Sequence, residues 1–137
     1  SLSGCSQIGG SEVIEITRWV PQLEVLLLDD LPKLKDDWIP VLEGSCLKEV
    51  SLKGCTGIID DALRKLDFKS TWCWQDSLEK INISGCEKVT GLGIKHLAIL
   101  CRCLAVVTVS KVFDFREELP TREELGISHP PIQYIFE

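Results

Sequence analysis

The sequence contains no methionine, and it has no apolar run of the roughly 18 residues that a membrane-spanning helix needs. Its first ten residues also lack the basic and apolar regions of a secretory signal peptide. The repeat pattern described below is already under way at residue 2, so we expect the sequence to be a fragment or a processed product. The absence of a targeting signal therefore assigns no compartment to the whole protein.

The chain also has no excess of positive charge. The chain has 15 Lys and Arg against 21 Asp and Glu, which gives a formal net charge of −6 and a pI of about 5.0. A protein that binds the phosphate backbone needs a basic face, so we expect no nucleic-acid partner. The length of 137 residues, with 45% hydrophobic and 26% charged, predicts one folded globular unit.

Zinc and disulfide patterns are lacking although the chain has seven cysteines. The number is odd, and most of the cysteines fall at recurring apolar positions, which argues against a secreted disulfide framework. No CxxC pair with a nearby histidine completes a four-ligand zinc set. We therefore expect reduced thiols in an intracellular protein, with no metal and no cofactor.

Catalytic patterns are lacking too. The sequence has no glycine-rich phosphate loop, and neither of its histidines, His96 and His129, has a serine or cysteine partner that the sequence places beside it. We expect His96 to be an exposed residue of a helix. The sequence therefore predicts a protein that is not an enzyme.

What the sequence does contain is a repeated pattern, which is most complete in the segment of residues 78–101. The apolar positions of this unit are Leu78, Ile81, Ile83, Cys86, Val89, Ile94, Leu97 and Cys101. Ile81 and Ile83 are two residues apart, so they share one side of a strand. The final three positions recur at the spacing of one helical face. The unit therefore predicts a strand, a turn at Cys86 and a helix.

The pattern recurs along the chain. Copies begin at Leu23, Leu47, Leu78 and Leu104, and a partial copy occupies residues 2–20. We expect stacked, buried neighbours on consecutive parallel strands at Leu26, Val50, Ile81 and Val107. The last copy predicts a final strand that ends near Val109.

The partial copy predicts a helix over residues 11–19, with Ser11 as its N-cap and Pro21 stopping it. Ile16, on this helix, and Val20, just after it, occupy positions of the partial repeat. Cys46 occupies the same repeat position as Cys101, so the pattern predicts that both are buried.

Two segments depart from the pattern. Residues 69–77 are extra within the third copy, and residues 114–137 form a tail in which Thr121 and Glu124 predict a capping box and Gly126 a helix end. We therefore divide the chain into a repeat array over residues 1–113, with its first repeat partial, and a C-terminal capping tail over residues 114–137.

The segment GCEKVTGLGIKHLAILCRCL resembles the cysteine-containing leucine-rich repeat, whose pattern is approximately GCxxITDxGLxxLAxxCxxL. LKGCTGIIDDALRKL, residues 52–66, is similar to it, and the resemblance covers about residues 2–109. It implies relationship to F-box leucine-rich-repeat proteins, which are substrate-recognition subunits of ubiquitin ligases. Related short arrays occur in the ATP synthase coupling-factor subunit s and in respiratory-chain assembly factors.

Repeats of this kind bury their apolar residues by stacking, so we expect an α/β leucine-rich-repeat solenoid of about four repeats plus the tail. Its parallel strands would line the concave face of a horseshoe arc and its helices the convex face. Between the inward strand positions lie side chains that we expect to face a protein partner on the concave surface. These candidate binding residues are Val25, Leu27, Glu49, Ser51, Lys80 and Asn82.

The extra segment supplies a second candidate surface at Trp72 and Trp74. Two large aromatic side chains in a polar setting form either a lid over the core or an exposed anchor for a partner.

The hypothesis from the sequence is a non-catalytic protein-binding module, the substrate-recognition part of an F-box-type ubiquitin ligase subunit in the cytoplasm or nucleus. The other ligase components would bind through an upstream segment. The alternative is a mitochondrial assembly factor of the subunit s type.

Overall fold

A computed structural model describes residues 1–35, 46–64, 76–111, 119–126 and 128–137. The fold belongs to the α/β class and contains one sheet of five parallel strands, in which each strand lies beside the next one along the chain. The strands are β1 (Val25–Leu27), β2 (Glu49–Ser51), β3 (Lys80–Asn82), β4 (Val106–Val109) and β5 (Gln133–Phe136). The helices are α1 (Gly10–Arg18), α2 (Asp60–Arg64), α3 (Gly91–Leu100) and α4 (Arg122–Leu125).

The register of the sheet confirms the predicted stacking of the first four strands. Leu26 pairs with Val50, Val50 with Ile81, and Ile81 with Val107. All four side chains are buried, with at most 6% of their surface exposed. Because side chains alternate across a strand, this register also determines which residues face away from the core.

Cysteines occupy the turns that follow two of the strands, as the repeat pattern predicts. The Cys55 thiol donates to the carbonyl of Leu28 at 3.0 Å, and the Cys86 thiol donates to the carbonyl of Leu52 at 3.1 Å. Each thiol therefore donates a hydrogen bond to the backbone just after the preceding strand. A small apolar side chain that also carries a weak donor suits this buried position.

Burial raises the pKa of Cys55 to about 11 and that of Cys86 to about 12. We expect both thiols to react slowly with iodoacetamide in the folded protein, and the exposed Cys5 to react sooner. Unfolding in denaturant should make the three rates similar. Fast labelling of Cys86 without denaturant would contradict its structural role.

Raised thiol pKa values also mean that the free energy of unfolding falls as the pH rises above the ordinary thiol range toward these values.

A residue with a left-handed backbone conformation precedes the turn in each of four successive repeats. The φ angles are positive at Gly4, Asp30, Gly54 and Gly85. A Cβ on Gly85 would lie 3.2 Å from the Cα of Gly54, so these turns also pack closely on one another. Aspartate is one of the few residues that tolerate this conformation, which explains how Asp30 replaces glycine in the second repeat.

Helix α1 differs from its prediction in two ways. It begins at Gly10 with Gly9 as its N-cap, because the Glu12 carboxylate accepts from the Gly9 N–H at 2.9 Å; Ser11 is therefore not the cap. Ile16 and Val20, placed at repeat positions by the sequence, are 42% and 43% exposed.

The prediction for Cys46 was also wrong. Cys46 is exposed, whereas Cys101, at the same repeat position, is fully buried at the end of α3. Cys101 packs within the core cluster, and Cys46 directly follows residues 36–45, which lie outside the described part of the chain.

The tail does more than cap the array. Its capping box at Thr121 and Glu124 and its helix end at Gly126 are confirmed. However, β5 pairs with β4, so Val109 does not end the last strand of the sheet. Tyr134 and Phe136 pack half-buried against the core, and this burial accounts for the added strand.

His129 connects the tail to α3. Its imidazole is 5% exposed, and Nε2 lies 2.9 Å from the carbonyl of Ala98 and 3.0 Å from that of Cys101. Carbonyls in the last turn of a helix have no partner within the helix, so Nε2 supplies a contact to that of Ala98. The Cys101 carbonyl also accepts from the Leu104 N–H at 3.1 Å.

None of the described helices is long and apolar enough to cross a membrane; the longest, α3, has 10 residues.

Candidate functional site

The candidate site is the side of the sheet that faces away from the core, which we call the outer sheet face. The register aligns its side chains in two rows. The first row is Val25, Glu49, Lys80, Val106 and Gln133. The second row is Leu27, Ser51, Asn82, Thr108 and Ile135.

The outer sheet face contains a depression of about 370 Å³ over β2 to β5. The outward side chains that line it are Glu49, Lys80, Asn82, Val106, Thr108, Gln133 and Ile135. The volume lies within the range of roughly 300 to 1,000 Å³ that is common for ligand pockets. Polar and apolar side chains therefore line one depression.

The negative and the positive side chain of this face lie on neighbouring strands. Glu49 on β2 lies opposite Lys80 on β3. Neither side chain takes part in any salt bridge between described residues. Both charged groups are therefore available to groups outside the chain.

The polar groups at the carboxyl ends of the strands are more strongly engaged. The Ser51 hydroxyl donates to Asp29, and the Lys53 N–H donates to the same carboxylate oxygen at 3.2 Å. Ser51 is only 6% exposed. Although Ser51 lies on the predicted face, its hydroxyl is already bonded within the protein.

Asn82 is held in one orientation by the residue two positions later. Its Oδ1 accepts from the Ser84 N–H at 3.0 Å and from the Ser84 hydroxyl at 2.7 Å. Ser84 is buried, so this contact is a fixed part of the loop after β3.

Apolar groups flank the polar ones. Val25 is 49% exposed at the β1 end of the face, and Ile135 is 38% exposed at the β5 end. Leu27 is half-buried beside Ser51. Exposed apolar side chains beside polar ones are a common composition of protein-binding surfaces.

The structure brings together the predicted residues Val25, Leu27, Glu49, Ser51, Lys80 and Asn82 on this face. Trp72 and Trp74 lie outside the described residues. Sequence reasoning missed Gln133 and Ile135 because it assigned them to the tail. Residues 132–136, rich in β-branched and aromatic types after two prolines, carried a strand signal that would have found them.

The sequence prediction for His96 was wrong, since this residue is half-buried on α3. It lines a second depression of about 340 Å³ with Asp60, Leu92, Lys95 and Ile99. Lys95 forms a salt bridge with Glu124 of α4, which ties this region to the tail. Within the described ranges, no cluster of three or more His, Cys, Asp or Glu side chains is arranged to hold a metal ion.

Comparison with known proteins identifies no matching family model and no curated relative of this chain.

Proposed function

We propose that this chain is a non-catalytic module that binds another protein through the outer sheet face. The observation that carries the proposal is the alignment of strands β1 to β4. It places two rows of outward side chains on one open surface. Among the described residues, neither Glu49 nor Lys80 takes part in a salt bridge. Side chains that neither fill the core nor bond one another are suited to contact a partner.

We propose further that the architecture is a leucine-rich-repeat solenoid in which this face is concave. Three features support this: strands that follow chain order, recurring left-handed residues, and thiols that bond the preceding repeat. Each is a contact or conformation repeated between neighbouring units, as expected for a stacked array.

The biological role that we propose is substrate recognition within an F-box-type ubiquitin ligase of the cytoplasm or nucleus. Its support is the resemblance of residues 52–66 and 85–104 to the cysteine-containing leucine-rich repeat. Affinity capture of the full-length protein tests this role: ubiquitin-ligase components among the partners are the expected result. Respiratory-chain or ATP synthase subunits in their place would replace it with the mitochondrial alternative.

The binding surface is tested by a triple variant, Val25→Asp with Glu49→Lys and Lys80→Glu. Because a few central contacts usually dominate an interface, we expect capture of the partner to be strongly reduced. Val25 is used because it is exposed, whereas Leu27 is half-buried. The free energy of unfolding should change little, since exposed substitutions usually cost within about 0.5 kcal/mol each.

A matched control is Glu15→Lys with Arg18→Glu, which reverses an exposed ion pair on α1. It should leave capture unchanged. A third variant, Trp72→Ser with Trp74→Ser, tests the extra segment. If the triple variant captures every partner at wild-type strength while the tryptophan variant loses them without unfolding, recognition belongs to the extra segment and not to the outer sheet face.

A further inference from the structure

Three hydrogen-bond donors meet in the depression of the outer sheet face. Lys80 and Asn82 are two positions apart on β3, so their side chains project on the same side of the sheet. Thr108 lies directly opposite Asn82 on β4. All three side chains line the same depression.

The orientation of the Asn82 amide follows from its contacts with Ser84. A backbone N–H is always a donor, so the Asn82 atom that it contacts at 3.0 Å is the oxygen. The Ser84 hydroxyl donates to the same oxygen at 2.7 Å; its Oγ lies farther, 3.4 Å, from a Glu137 carboxylate oxygen. With its oxygen occupied twice, Asn82 offers the depression its amide N–H groups.

The other two donors are also uncommitted. Lys80 is outside the salt bridges formed by the described residues, and neither the Thr108 hydroxyl nor the Asn82 Nδ2 has a hydrogen-bond partner among them. Thr108 is 8% exposed and lines the depression. The β3 and β4 side of the depression therefore presents one cation and two neutral donors.

We propose that this side of the depression binds the carboxylate of one acidic side chain of the protein partner. This inference rests on the proposed function of the outer sheet face. Lys80 Nζ, Asn82 Nδ2 and Thr108 Oγ1 supply the donors, and a carboxylate with two oxygens offers several acceptor sites to them. Glu49 lies directly opposite Lys80 on the next strand. Its negative charge disfavours any carboxylate that the three donors do not compensate, so we expect a single acid here and not an acidic cluster.

Val106 and Ile135 flank the same depression and give it an apolar wall. The aliphatic part of an acidic side chain packs against such a wall while its carboxylate reaches the donors. The surface thus distinguishes an acidic residue from a neutral one by charge and hydrogen bonding together.

The test is selection of a random dodecapeptide library, displayed on phage, against the immobilised 137-residue chain. Selected peptides are synthesised and their affinities are measured with wild-type protein, with Asn82→Asp, and with Gln22→Glu. The first variant replaces the donor by a carboxylate of the same shape. The second adds the same single charge at an exposed residue outside the outer sheet face. Thermal melting checks that both variants remain folded.

We expect the selected peptides to share one aspartate or glutamate at a fixed position. Changing that residue to its amide, or using Asn82→Asp, should weaken binding about 10- to 100-fold, the usual range for a lost charge-assisted contact. Gln22→Glu should change affinity less than about 2-fold, because the added charge is exposed and screened.

The other outcomes separate this inference from the proposed function. Peptides that bind without a shared acid, and that lose affinity with the Val25→Asp, Glu49→Lys and Lys80→Glu variant, overturn the carboxylate assignment while the face remains a binding surface. Peptides that share an acid but bind Asn82→Asp at wild-type strength overturn the role of these donors. If no selected peptide responds to the triple variant, the carboxylate assignment and the outer sheet face are both rejected.

Discussion

Replacing Ile81 with alanine is expected to lower the free energy of unfolding by about 2 to 5 kcal/mol, the range for removing a large aliphatic side chain from a core. Ile81 is 2% exposed and pairs in register with Val50 on one side and Val107 on the other. The shorter alanine side chain would leave a cavity in this layer of the sheet. The cavity would therefore remove contacts with both neighbouring strands at once.

Urea denaturation followed by circular dichroism measures the loss. The matched control is Lys80→Ala, the preceding residue of the same strand, whose side chain faces outward and is exposed. Its effect should stay within about 0.5 kcal/mol. Equal stability of the Ile81→Ala and Lys80→Ala variants would contradict the register that places one side chain inward and the other outward.

The His129→Ala variant is expected to lose about 2 to 4 kcal/mol of stability in the tail, because buried hydrogen-bonding groups lose their partner and a cavity forms. The carbonyls of Ala98 and Cys101 would lose the imidazole Nε2 that lies within 3.0 Å of both, and only the Cys101 carbonyl would keep a backbone donor among the described residues, the Leu104 N–H. The Arg122 guanidinium also donates to the His129 carbonyl at 2.6 Å, so the backbone here is anchored next to the ring. Removing the ring should loosen the link between α3 and the segment that leads to β5.

Hydrogen exchange at the β5 amides provides the measurement. Gln133 of β5 donates its N–H to the carbonyl of Ala105, just before β4, and Glu137, just after β5, donates to Val109 of β4. These amides should exchange faster in the variant. His129→Gln keeps a side-chain donor and should recover part of the protection. Ser128→Ala, at the exposed residue before it, is the control. Unchanged exchange at Gln133 and Glu137 in His129→Ala would show that β5 is held independently of the imidazole.

The strand register was predictable from the sequence because burial selects apolar side chains at a spacing of two. Val50, Ile81 and Val107 were identified from this spacing alone, and their pairing confirms it. The positions of Cys55 and Cys86 in the turns were predictable for the same reason, since the pattern repeats with little change. The capping box at Thr121 and Glu124 is a local contact across one helical turn, so four residues were enough to predict it.

The candidate site was predictable only in outline. Alternation assigned Glu49, Lys80 and Asn82 to one face, and their side chains lie there. Alternation carries no information about which polar groups bond one another. The engagement of Ser51 with Asp29, and the orientation of Asn82 by Ser84, depend on loops that meet only after the strands have paired.

The sequence by itself determined the inward positions of β1 to β4, because apolar burial at a fixed spacing has one solution in a parallel sheet. Only the tertiary structure decided that the tail contributes β5, since a four-residue strand acquires its stability from pairing with β4 and from packing Tyr134 and Phe136 on an existing core. It also decided the role of His129. The carbonyls that this side chain contacts lie at the end of a helix and just after it, 28 to 31 residues earlier in the chain, and no local pattern records a contact at that separation.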